Sequence, residues 1–515
     1  MPKHLPLTTL SAVFNRWYYL LAIVAGACLT LAFAPFEWRI VAILSPAVLF
    51  YLLLQATTTA QHLKLSYLFA LGMFGTGVSW IFYSMYFFAQ AHFLLAAGLT
   101  ALFVVLMSLF LLLLGAITSR FRNSPAALNL LVLYPVSWVF VEWFRGWFIT
   151  GFPWLYLGHS HIDNILINIA PVTGSFGVSL LSALLSGALV LAVIGDNKKR
   201  ITAASLAALV LVGSFLLGKT TWTTPVGESI TVSLLQGNIP QGEKWLPESL
   251  TPTLKLYQRM SSEHWDSDLI IWPETAIPGY FRDHMDEVIY PLQAMSQETK
   301  TDLLIGGFYY NEEGIPGSEN SILAITPELR SIYSKQHLVP FSEYIPFLEY
   351  MRWLGKWIQL PYDSVKRGSG ATTLDIAGIT AQMSVCYEDA YGNETIRSLP
   401  KATMLINVSN DGWFTGSIEP QQHMEIARMR SVETGRYMLR GTNIGVSGII
   451  DERGKIIATA PAYTTAVITG KAQPFVGATP YVNMGNWLII GILSSILAFA
   501  IWFYLPCGSG KCKQP

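Results

Sequence analysis

The sequence predicts two parts of different fold class: a multi-span α-helical membrane domain of about eight helices, and an α/β domain outside the lipid. Of the 515 residues, 52% are hydrophobic and only 13% are charged, about half the charged fraction of an ordinary soluble domain. Long apolar stretches fill the first 219 residues and return near the C-terminus. Between them, charged residues, proline and glycine become frequent again. We therefore expect a chain that is partly dissolved in lipid and partly folded in water.

Eight apolar stretches are long enough to cross a hydrocarbon core about 30 Å thick, at a rise of about 1.5 Å per helical residue. Their predicted cores are Trp17 to Phe33, Ile40 to Gln55, Tyr67 to Phe88, Phe93 to Ile117, Ala126 to Phe144, Gly174 to Ile194, Ile201 to Leu217, and Trp487 to Leu505. The predicted domains are a membrane domain of seven helices over 1–219, an outer domain over 220–484, and an eighth helix with a tail over 485–515.

Lysine and arginine are distributed unevenly over the connections between these stretches. One side carries most of them: Lys3, Arg16, Lys64, Arg120, Arg122, Lys198, Lys199, Arg200, Lys511 and Lys513. The short loops of the opposite side carry only Arg39 and Arg145. Because basic residues are retained in the cytoplasm, this bias predicts cytoplasmic termini and places residues 220–484 on the outer side of the membrane.

Short apolar runs alternate with amphipathic ones across residues 220–484. The predicted strands are Ser229 to Leu235, Asp268 to Trp272, Leu303 to Phe308, Ile379 to Val385, and Met404 to Val408. The predicted helices are His284 to Thr299 and Gln421 to Tyr437. The first strand alternates apolar residues with serine and threonine, a pattern typical of a strand with one exposed face. The alternation of strands and helices predicts layers of helix and sheet.

Composition also argues against several classes of protein. The formal net charge is zero, so no basic field favours nucleic acid as a partner. Cys386 is the only cysteine within 220–484, which excludes a disulfide framework there. A transporter is expected to carry paired charges within its spans, and only Glu142 with Arg145, at the end of a span, approaches that pattern. No motif requires a metal or nucleotide cofactor.

Two charged residues of the outer domain, Glu274 and Lys335, lie in short sequence motifs that suggest catalytic roles. The apolar run Ile270 to Trp272 ends at Pro273 and Glu274, where partial desolvation would raise the pKa of the carboxyl group toward acid or base duty. An ordinary solvated loop carboxylate is the alternative. Lys335 could lower a thiol pKa and stabilise an oxyanion, although most lysines are surface residues.

Cys386 follows the apolar strand that ends at Val385 and precedes the polar residues Tyr387, Glu388 and Asp389. A lone cysteine on a strand is usually an inert core residue. The polar turn instead favours an accessible thiol, and an unpaired thiol outside the cytoplasm is a liability unless it has a purpose. A Cys–His dyad with His337 is a second arrangement of the nucleophile.

The order Glu274, Lys335, Cys386, each within its local string, resembles the nitrilase superfamily of carbon–nitrogen hydrolases. That resemblance implies an α-β-β-α sandwich, with Cys386 as nucleophile, Glu274 as general base and Lys335 as stabiliser of the tetrahedral intermediate. Together with the eight spans, further strings make nearly the whole chain resemble the apolipoprotein N-acyltransferase family. These strings are Leu31 to Pro35, Arg145 to Trp147, Thr150 to Trp154, Gln236 to Gln241, Lys244 to Trp245, Ser409 to Phe414 and Ala427 to Arg430.

The second resemblance implies an enzyme of the bacterial inner membrane with its catalytic domain in the periplasm. The implied donor is a phospholipid, typically phosphatidylethanolamine, and the acceptor is the α-amino group of a lipoprotein's diacylglyceryl-modified N-terminal cysteine. The implied supporting residues are Trp245, Glu343, Tyr387 and Glu388, and no cofactor is implied. A membrane-tethered amidase or nitrilase that uses water as acceptor is the alternative within the same chemistry.

Access to the site is the last question that the sequence raises. The segment from Ile345 to Tyr362 is too apolar for a solvated loop, so it is either a helix packed in the core or an interfacial lid. Trp245, Trp272 and Trp413 are either lining residues of an acyl-sized cavity or ordinary core residues.

Overall fold

A computed structural model describes residues 16–88, 91–310, 317–344, 346 and 365–504. Within these ranges, helices precede the first strand throughout. They are α1 (Arg16–Leu29), α2 (Val41–Gln55), α3 (Thr59–Gly77), α4 (Phe93–Arg120), α5 (Ala126–Arg145), α6 (Ile165–Ile194) and α7 (Asn197–Leu217). The predicted segment from Ile345 to Tyr362 lies outside the described residues, apart from Pro346.

Among the described helices, five are long and apolar enough to cross a membrane: α4 to α7 and the final helix, Trp487–Tyr504. A sixth span results if α3 and Ile81–Phe88, which are bent by 56° at a short break, are counted together. The helical segment Arg16–Ala32, which contains α1, and α2 are apolar but shorter. These segments occupy the eight predicted stretches. The predicted stretch from Tyr67 to Phe88 corresponds to this bent pair rather than to a straight helix, because the helix breaks after Gly77.

Helices α1 and α3 approach each other closely through glycine. A Cβ atom on Gly26 would lie 1.9 Å from the backbone oxygen of Phe69, and one on Gly72 would lie 2.0 Å from the backbone oxygen of Ile23. Small residues of this kind let two backbones come into direct van der Waals contact in lipid, where the hydrophobic effect gives little association.

The outer domain contains two six-stranded sheets and a two-stranded one. The strands are β1 (Thr223–Pro225), β2 (Ile230–Gln236), β3 (Leu269–Ile271), β4 (Asp302–Tyr310), β5 (Ser318–Ile325), β6 (Arg330–Ser334), β7 (Thr373–Ile376), β8 (Ile379–Val385), β9 (Met404–Ser409), β10 (Met438–Thr442), β11 (Gly448–Ile450), β12 (Ile456–Thr459), β13 (Ala466–Ala472) and β14 (Phe475–Gly477). The first large sheet has the order β13-β2-β3-β4-β5-β6, the second has the order β12-β11-β10-β9-β8-β7, and β1 pairs with β14.

The two large sheets pack face to face with helices on their outer faces, which is the predicted α-β-β-α arrangement. Helices α8 (Pro247–Ser262) and α9 (Tyr290–Thr299) cover the first sheet. In β2, Val232 and Leu234 point between the sheets, whereas Leu235 packs on the helices. The expectation that this strand has an exposed face is therefore wrong, because the helix layer buries the second face as well.

Helix α10 (Glu419–Thr434) covers the second sheet and also contacts the membrane half. Met424 and Ala427 pack on the sheet, whereas Ile426 joins the apolar cluster of the membrane helices and Met429 packs with residues of α6 and α7. One helix of the sandwich is therefore buried between the two parts of the molecule, so the outer domain is held against the membrane helices rather than tethered to them.

The close contact of α1 with α3 gives a test of the membrane packing. Gly72→Ala should lower the free energy of unfolding by about 1–3 kcal/mol, the usual cost of overpacking, because the added methyl group meets backbone that cannot rotate away. Gly75→Ala is the matched control on the same helix, since nothing lies within 4 Å of its Cβ position. Thermal unfolding in detergent measures both; equal midpoints for the two variants would contradict the packing.

Candidate active site

The three residues singled out in the sequence lie at the ends of strands that meet at one edge of the sandwich. Glu274 follows β3 and Lys335 follows β6 in the first sheet, whereas Cys386 follows β8 in the second. β3 is parallel to β4, and two antiparallel steps turn β6 into the same direction, so the carboxyl ends of β3 and β6 face the same way. After burial, Glu274 and Lys335 are the groups that act most strongly on the pKa of the Cys386 thiol.

Glu274 is buried and fixed through both its backbone and its side chain. A Cβ atom on Gly306 of β4 would lie 2.8 Å from the Cα of Glu274, so this close approach requires glycine. Asn320 donates a hydrogen bond of 2.8 Å from Nδ2 to Glu274 Oε1. Burial raises the pKa of the Glu274 carboxyl group, and the positive charge of Lys335 offsets part of that rise. Glu274 therefore has the properties of a base that acts nearer neutral pH than an ordinary glutamate.

Lys335 is buried next to carboxylates. Its Nζ donates to Oε1 of Glu343 at 2.9 Å, and Asn320 donates to the same oxygen at 3.3 Å. Burial opposes the charge of Lys335, but Glu343 and the other anionic groups outweigh it, so the pKa of Lys335 is raised. A lysine in this environment keeps its proton and presents a fixed positive charge.

Cys386 has a backbone φ of 53°, which is unusual for a residue other than glycine. Left-handed geometry costs of order 1–3 kcal/mol and persists only where the surroundings impose it. Here Asn407 donates from Nδ2 to the Cys386 carbonyl at 3.1 Å, and Arg440 donates to Asn407 Oδ1 at 2.6 Å. Burial and the negative charge of Glu274 raise the pKa of the thiol, Lys335 offsets part of that rise, and the resulting pKa is about 12. The resting thiol is therefore protonated and needs a base.

Glu388, two residues after the cysteine, joins the end of β6 to the turn that carries the nucleophile. Its buried carboxylate accepts four hydrogen bonds. The donors are Tyr333 Oη at 2.7 Å and the backbone N–H groups of Gln336 at 2.6 Å, His337 at 2.8 Å and Val385 at 2.7 Å. Because these donors come from both sheets, Glu388 sets the separation between Lys335 and Cys386.

The remaining predicted residues lie around this centre. Trp245 is 47% exposed, with its ring 5.9 Å from that of Phe308. Tyr387 donates from its hydroxyl to the carbonyl of Gly151, a residue of the membrane half, at 3.3 Å. Among the tryptophans considered as cavity lining, Trp413 is 37% exposed, whereas Trp272 is fully buried beneath α8 and is an ordinary core residue.

The alternative dyad has little support in this geometry. The His337 ring stacks on Tyr391 with centroids 3.8 Å apart, and its Nδ1 lies 3.2 Å from a carboxylate oxygen of Glu394. Both residues of the proposed dyad are described, and no hydrogen bond joins His337 to Cys386.

A buried ionic cluster beneath the nucleophile turn is the one described group with donor atoms suited to a metal. Ligand atoms of Asp411, Glu419 and His423 lie within 4.8 Å of one another. However, Arg440 donates to both Asp411 and Asp389, and His423 Nε2 lies 2.8 Å from Asp389. With a guanidinium group among the carboxylates and both imidazole nitrogens beside carboxylates, these residues fit an ion-pair network better than a metal centre.

Several residues of the site carry no separate signal in the sequence. Asn320, Asn407 and Arg440 lie far from one another along the chain and belong to strands that any polar residue could occupy. Asp411 stands in the string from Ser409 to Phe414, which marks the region without indicating a contact with Arg440. Only the pairing of the strands shows that these residues belong to the site.

Glu388 provides a direct test of the junction between the sheets. Glu388→Gln places an amide NH₂ among N–H and O–H donors, so the free energy of unfolding should fall by about 1–3 kcal/mol, the cost of unsatisfied buried groups. Glu394→Gln is the control, because Glu394 is only partly buried and bonds to His337 and Arg397 at the surface. Denaturant unfolding in detergent should separate the two variants; a Glu388 variant as stable as the control would contradict the junction.

The raised thiol pKa predicts an unusual pH dependence. With a pKa of about 12, the thiolate fraction grows about tenfold per pH unit over the whole range from 7 to 9.5. Alkylation by a neutral reagent, followed in a variant that keeps Cys386 and replaces Cys28, Cys507 and Cys512 by serine, should show no plateau in that range. Lys335→Met should lower the rate at every pH, because the charge that favours the thiolate is lost. A plateau near pH 9 would contradict this electrostatic environment.

Comparison with known proteins assigns each half of the chain to a protein family. The family model for the apolipoprotein N-acyltransferase N-terminal domain matches residues 25–188, and that for carbon-nitrogen hydrolases matches residues 231–481. The apolipoprotein N-acyltransferase of Methylococcus capsulatus is 44% identical over 93% of this chain and 94% of its own length. That of Nitrosomonas europaea is 37% identical over 94% of this chain and 97% of its own length.

Solved structures of lower similarity cover about half of the chain. A CN-hydrolase superfamily protein from Xanthomonas campestris is 16% identical with a TM-score of 0.37, and covers 56% of this chain and 100% of its own. Nit3 of Saccharomyces cerevisiae, a nitrilase superfamily member, is 17% identical with a TM-score of 0.36, and covers 56% of this chain and 98% of its own. The family is shown instead by the relatives from Methylococcus capsulatus and Nitrosomonas europaea, which match nearly end to end at 44% and 37% identity. The chain belongs to the apolipoprotein N-acyltransferase family.

Proposed function

We propose that this protein transfers an acyl chain from a phospholipid, through a thioester on Cys386, to the α-amino group of the diacylglyceryl-modified N-terminal cysteine of apolipoproteins. Membership of the family makes the chain an N-acyltransferase with a phospholipid donor and a lipoprotein acceptor. The observation that carries the proposed roles is the placement of Cys386, at the end of β8, close to a buried carboxylate, Glu274, and a buried ammonium group, Lys335, at the strand ends of the facing sheet.

The first half-reaction forms the thioester. Glu274 accepts the thiol proton while Cys386 Sγ attacks the ester carbonyl of the phospholipid. The oxyanion that develops is stabilised by the Lys335 ammonium group and by a backbone N–H near Tyr387. Collapse of the tetrahedral intermediate breaks the bond to the leaving alkoxide, which receives the proton from Glu274 and departs as lysophospholipid.

The second half-reaction transfers the acyl group to nitrogen. The neutral α-amine of the lipoprotein attacks the thioester carbonyl, and Glu274 accepts a proton from the amine. Collapse of the second intermediate expels the Cys386 thiolate, which is reprotonated by Glu274. The products are an amide and the free enzyme. The energy of the phospholipid ester is sufficient for both steps, so neither a metal nor a nucleotide is required.

A transferase must keep its thioester away from water until the amine arrives. Two features support that property here. The nucleophile turn packs against the membrane half: the Tyr391 hydroxyl oxygen lies 2.9 Å from the hydroxyl oxygen of Tyr387 and 3.2 Å from the carbonyl oxygen of Thr150, a residue of the membrane half. Trp154, from the loop after α5, stacks on Tyr387 with ring centroids 6.1 Å apart. A thioester at Cys386 would thus form beside aromatic groups of the membrane half rather than in open solvent.

The finer assignments belong to the same proposal. The donor is phosphatidylethanolamine, and the site lies in the periplasm, with both termini in the cytoplasm and residues 220–484 between the seventh and eighth spans of the inner membrane. Residues 1–219 and 485–515 form the membrane part. Glu343 and Glu388 hold Lys335 and the nucleophile turn, whereas Tyr387 and the exposed Trp245 contact substrate.

The burst of product at the start of the reaction tests the proposal. Purified protein given phospholipid alone should release about one lysophospholipid per enzyme and stop as a hydroxylamine-sensitive thioester, as ping-pong catalysis requires. A peptide with a diacylglyceryl-modified N-terminal cysteine should restart turnover. Mass spectrometry locates the acyl group on Cys386. Continuous release of fatty acid without an amine acceptor would identify a lipid hydrolase instead.

Variants separate the proposed roles. Cys386→Ala should abolish thioester formation in a folded protein, and Lys335→Ala should slow it by roughly 10²–10³-fold, the usual cost of losing an oxyanion donor. His337→Ala should retain most activity. Loss of activity in the His337 variant, with survival of the Lys335 variant, would replace the proposed site with the Cys–His dyad.

A further inference from the structure

Lys244 is a second buried lysine near Glu274, and neither half-reaction uses it. It lies in the turn before α8 and is 1% exposed. Its Nζ donates to the backbone carbonyl of Glu274 at 3.1 Å and to Thr275 Oγ1 at 2.5 Å. Among the described residues, no carboxylate oxygen lies within ion-pairing distance of Lys244. The hydrogen bonds described for this ammonium group are with the residue pair Glu274–Thr275, and its remaining electrostatic contact is with the Trp245 ring, whose centroid is 5.8 Å away.

A buried ammonium group without an ion-pair partner is costly, because desolvation disfavours the charged form. Burial lowers the pKa of Lys244 to about 8, although the negative charge of Glu274 acts in the opposite direction. Lys244 is thus still largely protonated at pH 7. Ordinary packing does not explain such a residue, since an apolar side chain of the same length would fill the space without the desolvation cost.

The backbone that Lys244 holds is itself constrained. Thr275 has a φ of 47°, in the left-handed region. Gly306 of β4 also comes so close that its absent Cβ would lie 2.2 Å from the Pro273 carbonyl and 2.7 Å from the Thr275 nitrogen. The main chain around Glu274 is therefore held both by close contact with β4 and by hydrogen bonds from the Lys244 ammonium group.

We propose that Lys244 is a positioning residue for the general base: its ammonium group holds the Glu274–Thr275 backbone in the left-handed turn and supplies a positive charge beside the Glu274 carboxylate. This inference rests on the proposed role of Glu274 as base. Lys244 does not touch the reacting atoms in this arrangement, because Lys335 is the lysine that faces the thiol.

The pH dependence follows from the groups that face Glu274. These are Lys335 and Glu343 from the segment after β6, Asn320 from β5, and Lys244 from the turn before α8. Glu343 raises the pKa of Glu274, whereas Lys335, Asn320 and Lys244 lower it. Only the carboxylate form accepts the thiol proton. Removal of the positive charge at Lys244 therefore raises the pKa of Glu274 and moves the acid limb of the thioester-forming rate to higher pH.

Single-turnover acylation of Cys386 by phospholipid in detergent, measured from pH 5 to 9, tests this inference. Lys244→Met should lower the plateau rate constant by about tenfold to a hundredfold, a typical cost of a misplaced catalytic group. It should also move the acid limb to higher pH. Lys244→Arg, which keeps the charge, should return the acid limb to its wild-type position. Lys255→Met, an exposed lysine on α8, is the control and should leave both quantities unchanged.

The amplitude and the rate constant separate folding from positioning. A merely structural lysine would reduce the amount of thioester per protein without moving the acid limb, and that result would overturn the proposal. If Lys244→Met forms no thioester at all, the Thr275→Val variant tests the proposal instead. It removes one hydrogen-bond acceptor of the Lys244 ammonium group while keeping the branched shape of the side chain. The Thr275 variant should show a lower rate constant, and a wild-type value would overturn the inference. Failure of the wild-type protein to acylate Cys386 would instead refute the proposed function.

Discussion

The carboxylate of Glu388 lies where the two sheets of the sandwich meet, and the active site depends on the hydrogen bonds that it accepts. Three donors come from the end of β6, around Lys335, and the fourth is the backbone N–H of Val385, immediately before the nucleophile. Each sheet presents its residue at the end of its own strand, and nothing in either sheet alone fixes the distance between Lys335 and Cys386. A fully satisfied buried carboxylate provides that distance, because four directed bonds tolerate little displacement.

Around this junction, the charged groups keep the Cys386 thiol unreactive when no substrate is bound. The thiol is protonated because burial and Glu274 both disfavour the thiolate, and Lys335 remains charged because Glu343 and Glu274 surround it. Attack therefore requires a substrate carbonyl, whose developing negative charge meets Lys335 while the proton moves to Glu274. The same arrangement serves both half-reactions, since each begins with a proton moving to the carboxylate and ends with its return.

The membrane half does more than hold the enzyme at the bilayer. Helix α10 packs on the second sheet with one side and on membrane helices with the other. Gln422 on this helix accepts hydrogen bonds from the indole groups of Trp80 and Trp154, both of the membrane half. The two charged residues Glu142 and Arg145, which only approached the pattern expected of a transporter, also have a structural explanation. Glu142 and Arg145 do not pair with each other; Arg145 instead donates to the carbonyls of Phe152 and Trp154, in the loop that contacts the nucleophile turn.

The sequence by itself determined the two fold classes, the eight apolar segments and the strands that precede Glu274 and Cys386, but not the strand β6 that precedes Lys335. Hydrophobic length and period carry this information locally, so segments such as Ile379 to Val385 could be predicted with their observed bounds. The break after Gly77 and the burial of both faces of β2 were not predictable in this way, because they depend on what packs against the segment. The same is true of Asn320, Asn407 and Lys244. Their roles arise from hydrogen bonds between residues far apart in the chain, and only the tertiary structure decided which polar side chains face the site.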